Sequence, residues 1–149
     1  MTTASAPSPP RLRDLAVWPV VAVARTTSLE DAARTMRDQE VGCLIVAEPG
    51  ERIAVVTERD LVSVLAAGHG RGVDVGVLAD GDPLTMPADA GVLDAAMAML
   101  GSGARYVVVT HDGHAVGVVS MRDVLTVLVE AVVPERLFLI AARRTSGGG

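Results

Sequence analysis

Leu29, Ala32, Ala33 and Met36 fall at i, i+3, i+4 and i+7, the spacing of one apolar face on a helix. Val92, Ala95, Ala96 and Met99 repeat that stripe 63 residues later. Each stripe is followed by two short apolar runs of strand length, Cys43 to Ala47 and Ile53 to Val56 in the first copy, Tyr106 to Thr110 and Ala115 to Val119 in the second. Pro49-Gly50 and Asp112-Gly113 lie between the runs and mark hairpin-like turns. A further helix begins near Glu58 and again near Met121, with stripes Leu61, Val64, Leu65 and Val124, Val127, Leu128 expected to form an exposed seam. The second of these helices is expected to run on towards Val133, before Pro134. Thr27 with Glu30 reads as a capping box for the first stripe, and Asp89 or a neighbour as the start of the second. With a strand ahead of each stripe, both copies read strand-helix-strand-strand-helix.

The two copies are one repeat. Laying Leu15 to Leu65 over Leu78 to Leu128 needs no gap and makes 14 of 51 pairs identical, against about five by chance in so Ala- and Val-rich a chain. The identities include polar positions, Asp31/Asp94, Arg59/Arg122 and Asp60/Asp123, as well as apolar ones. Gly68, Gly70 and Gly72 make the seam. The expected units are a frayed tail over residues 1–13, a first repeat over 14–72, a second over 73–133, and a C-terminal extension with a frayed end over 134–149.

Composition narrows the function classes. At 149 residues and 50% apolar content the chain can bury a full core, and with Trp18, Tyr106 and Phe138 as its only aromatics that core is aliphatic. A net charge of −5 and the lack of stacking aromatics exclude a nucleic-acid partner. All 13 basic residues are Arg. No uncharged apolar stretch reaches the ~18 residues of a membrane helix, the longest run, Leu15 to Ala24, being short and interrupted by Pro19. One cysteine, Cys43, and an N-terminus without an apolar signal core suit a reducing cytoplasm.

The chemistry concentrates where the last strand of each copy meets its closing helix. Thr57-Glu58-Arg59-Asp60 follows Ala54-Val55-Val56, and Ser120-Met121-Arg122-Asp123 follows Gly117-Val118-Val119. Taken singly, a hydroxyl three residues before a carboxylate is a helix cap. A helix N-terminus also offers unpaired N–H groups and a partial positive charge to an anion. The duplicated unit, with Asp31-Ala32-Ala33 and Asp94-Ala95-Ala96 upstream, resembles a CBS-domain pair from about Asp14 to Val133. That resemblance implies an α+β fold in which two tandem repeats pack pseudo-symmetrically through their sheets, with clefts between the repeats that bind AMP, ADP, ATP or S-adenosylmethionine. It casts Asp60 and Asp123 as acceptors for ribose hydroxyls, Thr57 and Ser120 as ribose or phosphate contacts, and Arg59 and Arg122 as candidate phosphate contacts. Adenine would lie against Val21, Ala22, Gly42 and Cys43 in one cleft and Leu84, Thr85, Arg105 and Tyr106 in the other. The family's Gly before the two apolar residues is Gly117 in the second repeat but Ala54 in the first, and Thr85 stands opposite Ala22. The sites are therefore expected to be unequal, with that of Ser120 and Asp123 the tighter.

Other features have plainer readings. Arg59 and Arg122 also read as solvated helix residues. His111 and His114 flank a turn with no third ligand, so no metal site is expected. Cys43 reads as a buried thiol, and Trp18 as packing at the module's edge. The segment Glu135 to Arg144 reads as a partner-docking element or a last piece closing over the core. No catalytic constellation or phosphate loop is present in the sequence, so an enzyme is not expected. The expected protein is a regulatory module that requires no cofactor, senses an adenine nucleotide, forms a homodimer and signals to a separate regulated protein. The competing reading is a ligand-free dimerisation adaptor in which the carboxylates only cap helices.

Overall fold

The computed structural model describes residues 8–16, 20–47, 50, 52–79 and 82–132. Trp18, Pro49 and the segment from Val133 through Glu135 to Arg144 lie outside the described residues. The first repeat comprises β1 (Ala22–Val23), α2 (Leu29–Gln39), β2 (Cys43–Val46), β3 (Ala54–Thr57) and α3 (Glu58–Ala66). The second comprises β4 (Thr85–Pro87), α5 (Val92–Ser102), β5 (Tyr106–His111), β6 (His114–Ser120) and α6 (Met121–Val132). Two one-turn helices precede the repeats, α1 (Leu12–Leu15) and α4 (Val75–Leu78). Each sheet is three-stranded, in the orders β1-β2-β3 and β4-β5-β6, with the first pair parallel and the second antiparallel. The fold is α+β.

The helix stripes bury as their spacing requires: Leu29, Ala32 and Met36 on α2, and Val92, Ala95 and Met99 on α5. The cap of α2 falls one residue later than Thr27, because Ser28 Oγ accepts the Asp31 N–H at 3.1 Å. Gly91, not Asp89, is the N-cap of α5 and makes no side-chain cap. Between β5 and β6, Asp112 (φ 49°) and Gly113 (φ 78°) both take the left-handed conformation, which a two-residue hairpin turn needs to match the strand twist.

Residues α1 and α4 do not serve the repeats they precede. Leu12 is fully buried in the second repeat's core with Val92, Met99 and Val107, and Val75 is fully buried in the first repeat's core with Leu29, Leu44 and Val56. Leu12 N–H donates to the Ala90 carbonyl at 2.9 Å and Arg13 N–H to the Ala88 carbonyl at 2.9 Å. Val75 N–H donates to Thr27 and Gly76 N–H to Arg25, at 2.8 and 2.9 Å. These pairs match one for one at the 63-residue offset, so the structural repeat starts upstream of Asp14. Pro10 to Arg13, placed in a tail by their composition, are held by backbone bonds and a buried leucine.

The two sheets face each other. On β2, Leu44 and Val46 join the first repeat's core, while Cys43 and Ile45 are buried outside it, on the opposite face. On β5, Val107 and Val109 join the second core and Val108 is buried on the opposite face. A sheet already covered by its own helices on one side can bury those residues only against the other sheet. The closing helices divide differently from the expected seam. Leu61 and Val124 are buried, and the exposed large apolar residues of the closing helices are Val62, Leu65, Met121, Leu125 and Val132, beside Leu93, Met97 and Leu100 on α5.

Candidate ligand-binding clefts

Each closing helix starts where an antiparallel strand ends, and its first turn faces the other repeat. Asp123 Oδ2 accepts the Ser120 N–H at 2.9 Å and the Ser120 hydroxyl at 2.8 Å, while Ser120 Oγ accepts the Asp123 N–H at 3.1 Å. Asp60 Oδ2 accepts the Thr57 N–H at 2.8 Å and its hydroxyl at 3.0 Å. Thr57 Oγ1 accepts the Asp60 N–H at 3.4 Å. Each box thus uses one carboxylate oxygen twice, and Oδ1 of neither aspartate receives a hydrogen bond from a described residue. A carboxylate pinned through one oxygen presents the other as a fixed acceptor.

Two cavities lie between the repeats. The first, of about 460 Å³, is walled by Val20, Val21, Gly42 and Cys43 from the first repeat and by Ser120, Arg122 and Asp123 from the second. The other, of about 250 Å³, is walled by Pro83, Leu84, Arg105 and Tyr106 from the second repeat and by Thr57 and Arg59 from the first. Adding or subtracting 63 carries one set of walls onto the other, so the cavities are pseudo-symmetry mates built across the repeat boundary. Only the larger reaches the ~300–1,000 Å³ of typical small-molecule sites.

Asp60 does not line the smaller cavity, whereas its mate Asp123 lines the larger. Ala22 and Thr85 line neither. They are exposed, between neighbours Val21 and Val23, or Leu84 and Met86, that pack against the cores, as strand alternation requires. Glu58, Arg105 and Tyr106 line both cavities. The Tyr106 hydroxyl lies 2.9 and 3.0 Å from the two carboxylate oxygens of Glu58 and joins the repeats by a side-chain hydrogen bond. Burial, then the hydrogen bond to Glu58 and its charge, push the Tyr106 phenol well up. Burial first, then the charges of Glu58 and Asp60, push the Cys43 thiol up to about 12. At neutral pH Cys43 is a protonated wall, not a reactive thiolate.

Glu40 and Met121 line the larger cavity without having stood out in the sequence. The signal that finds them, and Glu58, is the repeat itself, since their mates Gly103 and Glu58 line the smaller one. Among the described residues, no three His, Cys, Asp or Glu side chains gather to hold a metal ion. No helix among them is long and apolar enough to cross a membrane.

The CBS domain family matches the chain twice, over residues 12–67 and 75–130, and the chain belongs to that family. It is similar to an uncharacterized 17.7 kDa protein in the bps2 3′ region of Acidianus ambivalens, 28% identical over 124 residues, 80% of this chain and 74% of that one. A CBS domain protein of Pyrobaculum aerophilum, solved in complex with AMP, is 29% identical, with a TM-score of 0.69 over 76% of this chain and 88% of that one. Hypoxic Response Protein I, solved with two coordinated zinc ions, is 28% identical, with a TM-score of 0.66 over 78% of this chain and 97% of that one.

Proposed function

We propose that this chain is a regulatory module that binds an adenosine-containing nucleotide between its repeats and transmits occupancy by a change in conformation or dimer geometry. The observation that carries the reading is the 460 Å³ cavity spanned by both repeats, with Asp123 on its rim and Asp123 Oδ2 held by Ser120. In this reading Asp123 Oδ1 accepts a ribose hydroxyl, Arg122 meets a phosphate, and the base rests on Val20, Val21 and Cys43. The AMP complex of the Pyrobaculum aerophilum relative supports an adenosine ligand. Because the pocket draws on both repeats, filling it biases their relative placement, which is the differential interaction a signal requires.

The ligand candidates are AMP, ADP, ATP and S-adenosylmethionine. Glu40, Glu58 and Asp123 outnumber Arg105 and Arg122 and leave the larger cavity with a net formal charge of −1, which favours ligands with few phosphates. The exposed residues Leu93, Met97 and Leu100 on α5, with Leu125 on α6, support self-association as a homodimer. We assign no catalytic role, and place the protein in the cytoplasm with a separate regulated protein as its partner.

Thermal unfolding in the presence of each candidate tests the reading. A ligand at 100 times its Kd stabilises the fold by about 2.7 kcal/mol, so at least one candidate should raise Tm by several degrees. The adaptor reading is favoured by one observation, that both aspartates already satisfy a helix cap. No shift with any candidate, in folded protein free of carried-over nucleotide, selects the adaptor.

A further inference from the structure

The two cavities come from the same repeat, yet one has little more than half the volume of the other. The mated walls differ at several positions, and three of them bring larger or charged side chains into the smaller cavity. Where the larger has Gly42, Cys43 and Met121, the smaller has Arg105, Tyr106 and Glu58. Each exchange in the smaller cavity adds bulk, charge or both, and two of the three side chains are tied together, Tyr106 hydroxyl to Glu58 carboxylate at 2.9 Å. Asp60, the mate of Asp123, no longer reaches the smaller cavity's wall.

We propose that the Arg105, Tyr106 and Glu58 side chains plug the second cleft, so that the chain holds one nucleotide rather than two, at Ser120 and Asp123, with the plug's far side serving as that site's wall. The identity of the ligand rests on the adenosine reading above; the plug itself does not. The wall is close-fitting: a Cβ at Gly42 would overlap both the Glu58 carboxylate and the Tyr106 hydroxyl. A side chain at Gly42 would therefore have to displace the Tyr106–Glu58 pair, and the same pair that fills one cleft bounds the other. The asymmetry also differs in origin from the Ala54 and Ala22 departures, since neither residue lines a cleft.

The plug can be removed by giving the second cleft the residues of the first: Glu58→Met, Arg105→Gly and Tyr106→Cys together, with Tyr106→Ala as a gentler variant. Calorimetric titration with AMP should show one site per wild-type chain, lost in Asp123→Ala and kept in Asp60→Ala. Either plug variant should show two, the added one lost when Asp60→Ala is included. Two sites in the wild type, or one site in both plug variants when circular dichroism shows them folded, overturns the proposal. Tyr106 is the only tyrosine, so its phenolate absorbance reads the clasp without any ligand. Burial keeps the titration midpoint raised in Glu58→Gln, but loss of the Glu58 charge should lower it from the wild-type value, and an unchanged midpoint overturns the plug. If wild-type protein binds no adenosine compound, the functional reading fails while this titration still decides the plug.

Discussion

Leu12 sits 63 positions before Val75, far in sequence from the core it serves, and its truncation tests whether the repeats are interlocked. Leu12→Ala removes three carbons from a side chain that is 0% exposed among Val92, Ala95, Met99, Val107 and Val119. At about 0.8 kcal/mol per buried methylene, the transfer loss alone is about 2.4 kcal/mol. The unrelaxed cavity adds to it, so about 3 kcal/mol is expected, inside the 2–5 kcal/mol span of such truncations. For a chain of this size that lowers Tm by roughly 10 °C. Urea unfolding followed by circular dichroism should show a lower midpoint with unchanged slope. Native-state hydrogen exchange should show faster opening of α5 before α2, because the lost contacts belong to the second repeat. Arg13→Ala, at an exposed neighbour, should leave Tm within about 1 °C. A Leu12→Ala loss below about 1 kcal/mol, or one confined to α2, would refute the exchange of one-turn helices between repeats.

Three further outcomes are expected. Glu40 ends α2 in the left-handed conformation (φ 55°), where its mate Gly103 (φ 73°) ends α5. Glu40→Gly should therefore stabilise the fold by about 0.5–1 kcal/mol, read as a raised urea midpoint. Asp60→Ala and Asp123→Ala each remove the same pair of capping bonds and should each cost about 1 kcal/mol, or about 3 °C in Tm. Matched stability losses beside unmatched nucleotide effects would separate capping from binding. The Cys43 thiol is raised to about 12 in the fold from an ordinary value near 9, so the folded state keeps a proton the unfolded chain gives up. That stabilisation is whole below pH 9 and falls by up to ~1.4 kcal/mol per pH unit from there to about pH 12. Cys43→Ala should flatten the alkaline limb of stability against pH, and an unchanged limb would show that the thiol is not buried as described.

The α2 and α5 stripes, the paired strands and the helix starts at Glu58 and Met121 were legible because apolar periodicity and the 63-residue offset report the same elements twice. The one-turn helices were not. Pro10 to Asp14 and their mates Val73 to Val77 share no identical pair, and a single turn shows no period, so only three-dimensional packing reveals that Leu12 and Val75 are equivalent. Thr57, Ser120 and Asp123, which line the cavities, were legible as candidates because a duplicated polar position stands out against an apolar background, while Asp60, read with them, lines neither cavity. Which wall faces which helix was not legible, because that is a property of sheet-on-sheet packing. Glu58 was hidden for another reason. Its mate is Met121, and a comparison that looks for identities passes over the positions at which two copies have diverged. Here those positions put Arg105, Tyr106 and Glu58 where the other copy has Gly42, Cys43 and Met121.

Whether Asp123 serves a ligand as well as a helix is read by AMP titration of the wild type beside Asp123→Ala. Losing a hydrogen bond to a charged group costs about 1.5–3 kcal/mol, a rise in Kd of roughly 10- to 150-fold. Saturable AMP binding is expected, weakened by that factor in Asp123→Ala while the variant remains folded. Equal affinity in the folded variant, or no binding by the wild type, would contradict it.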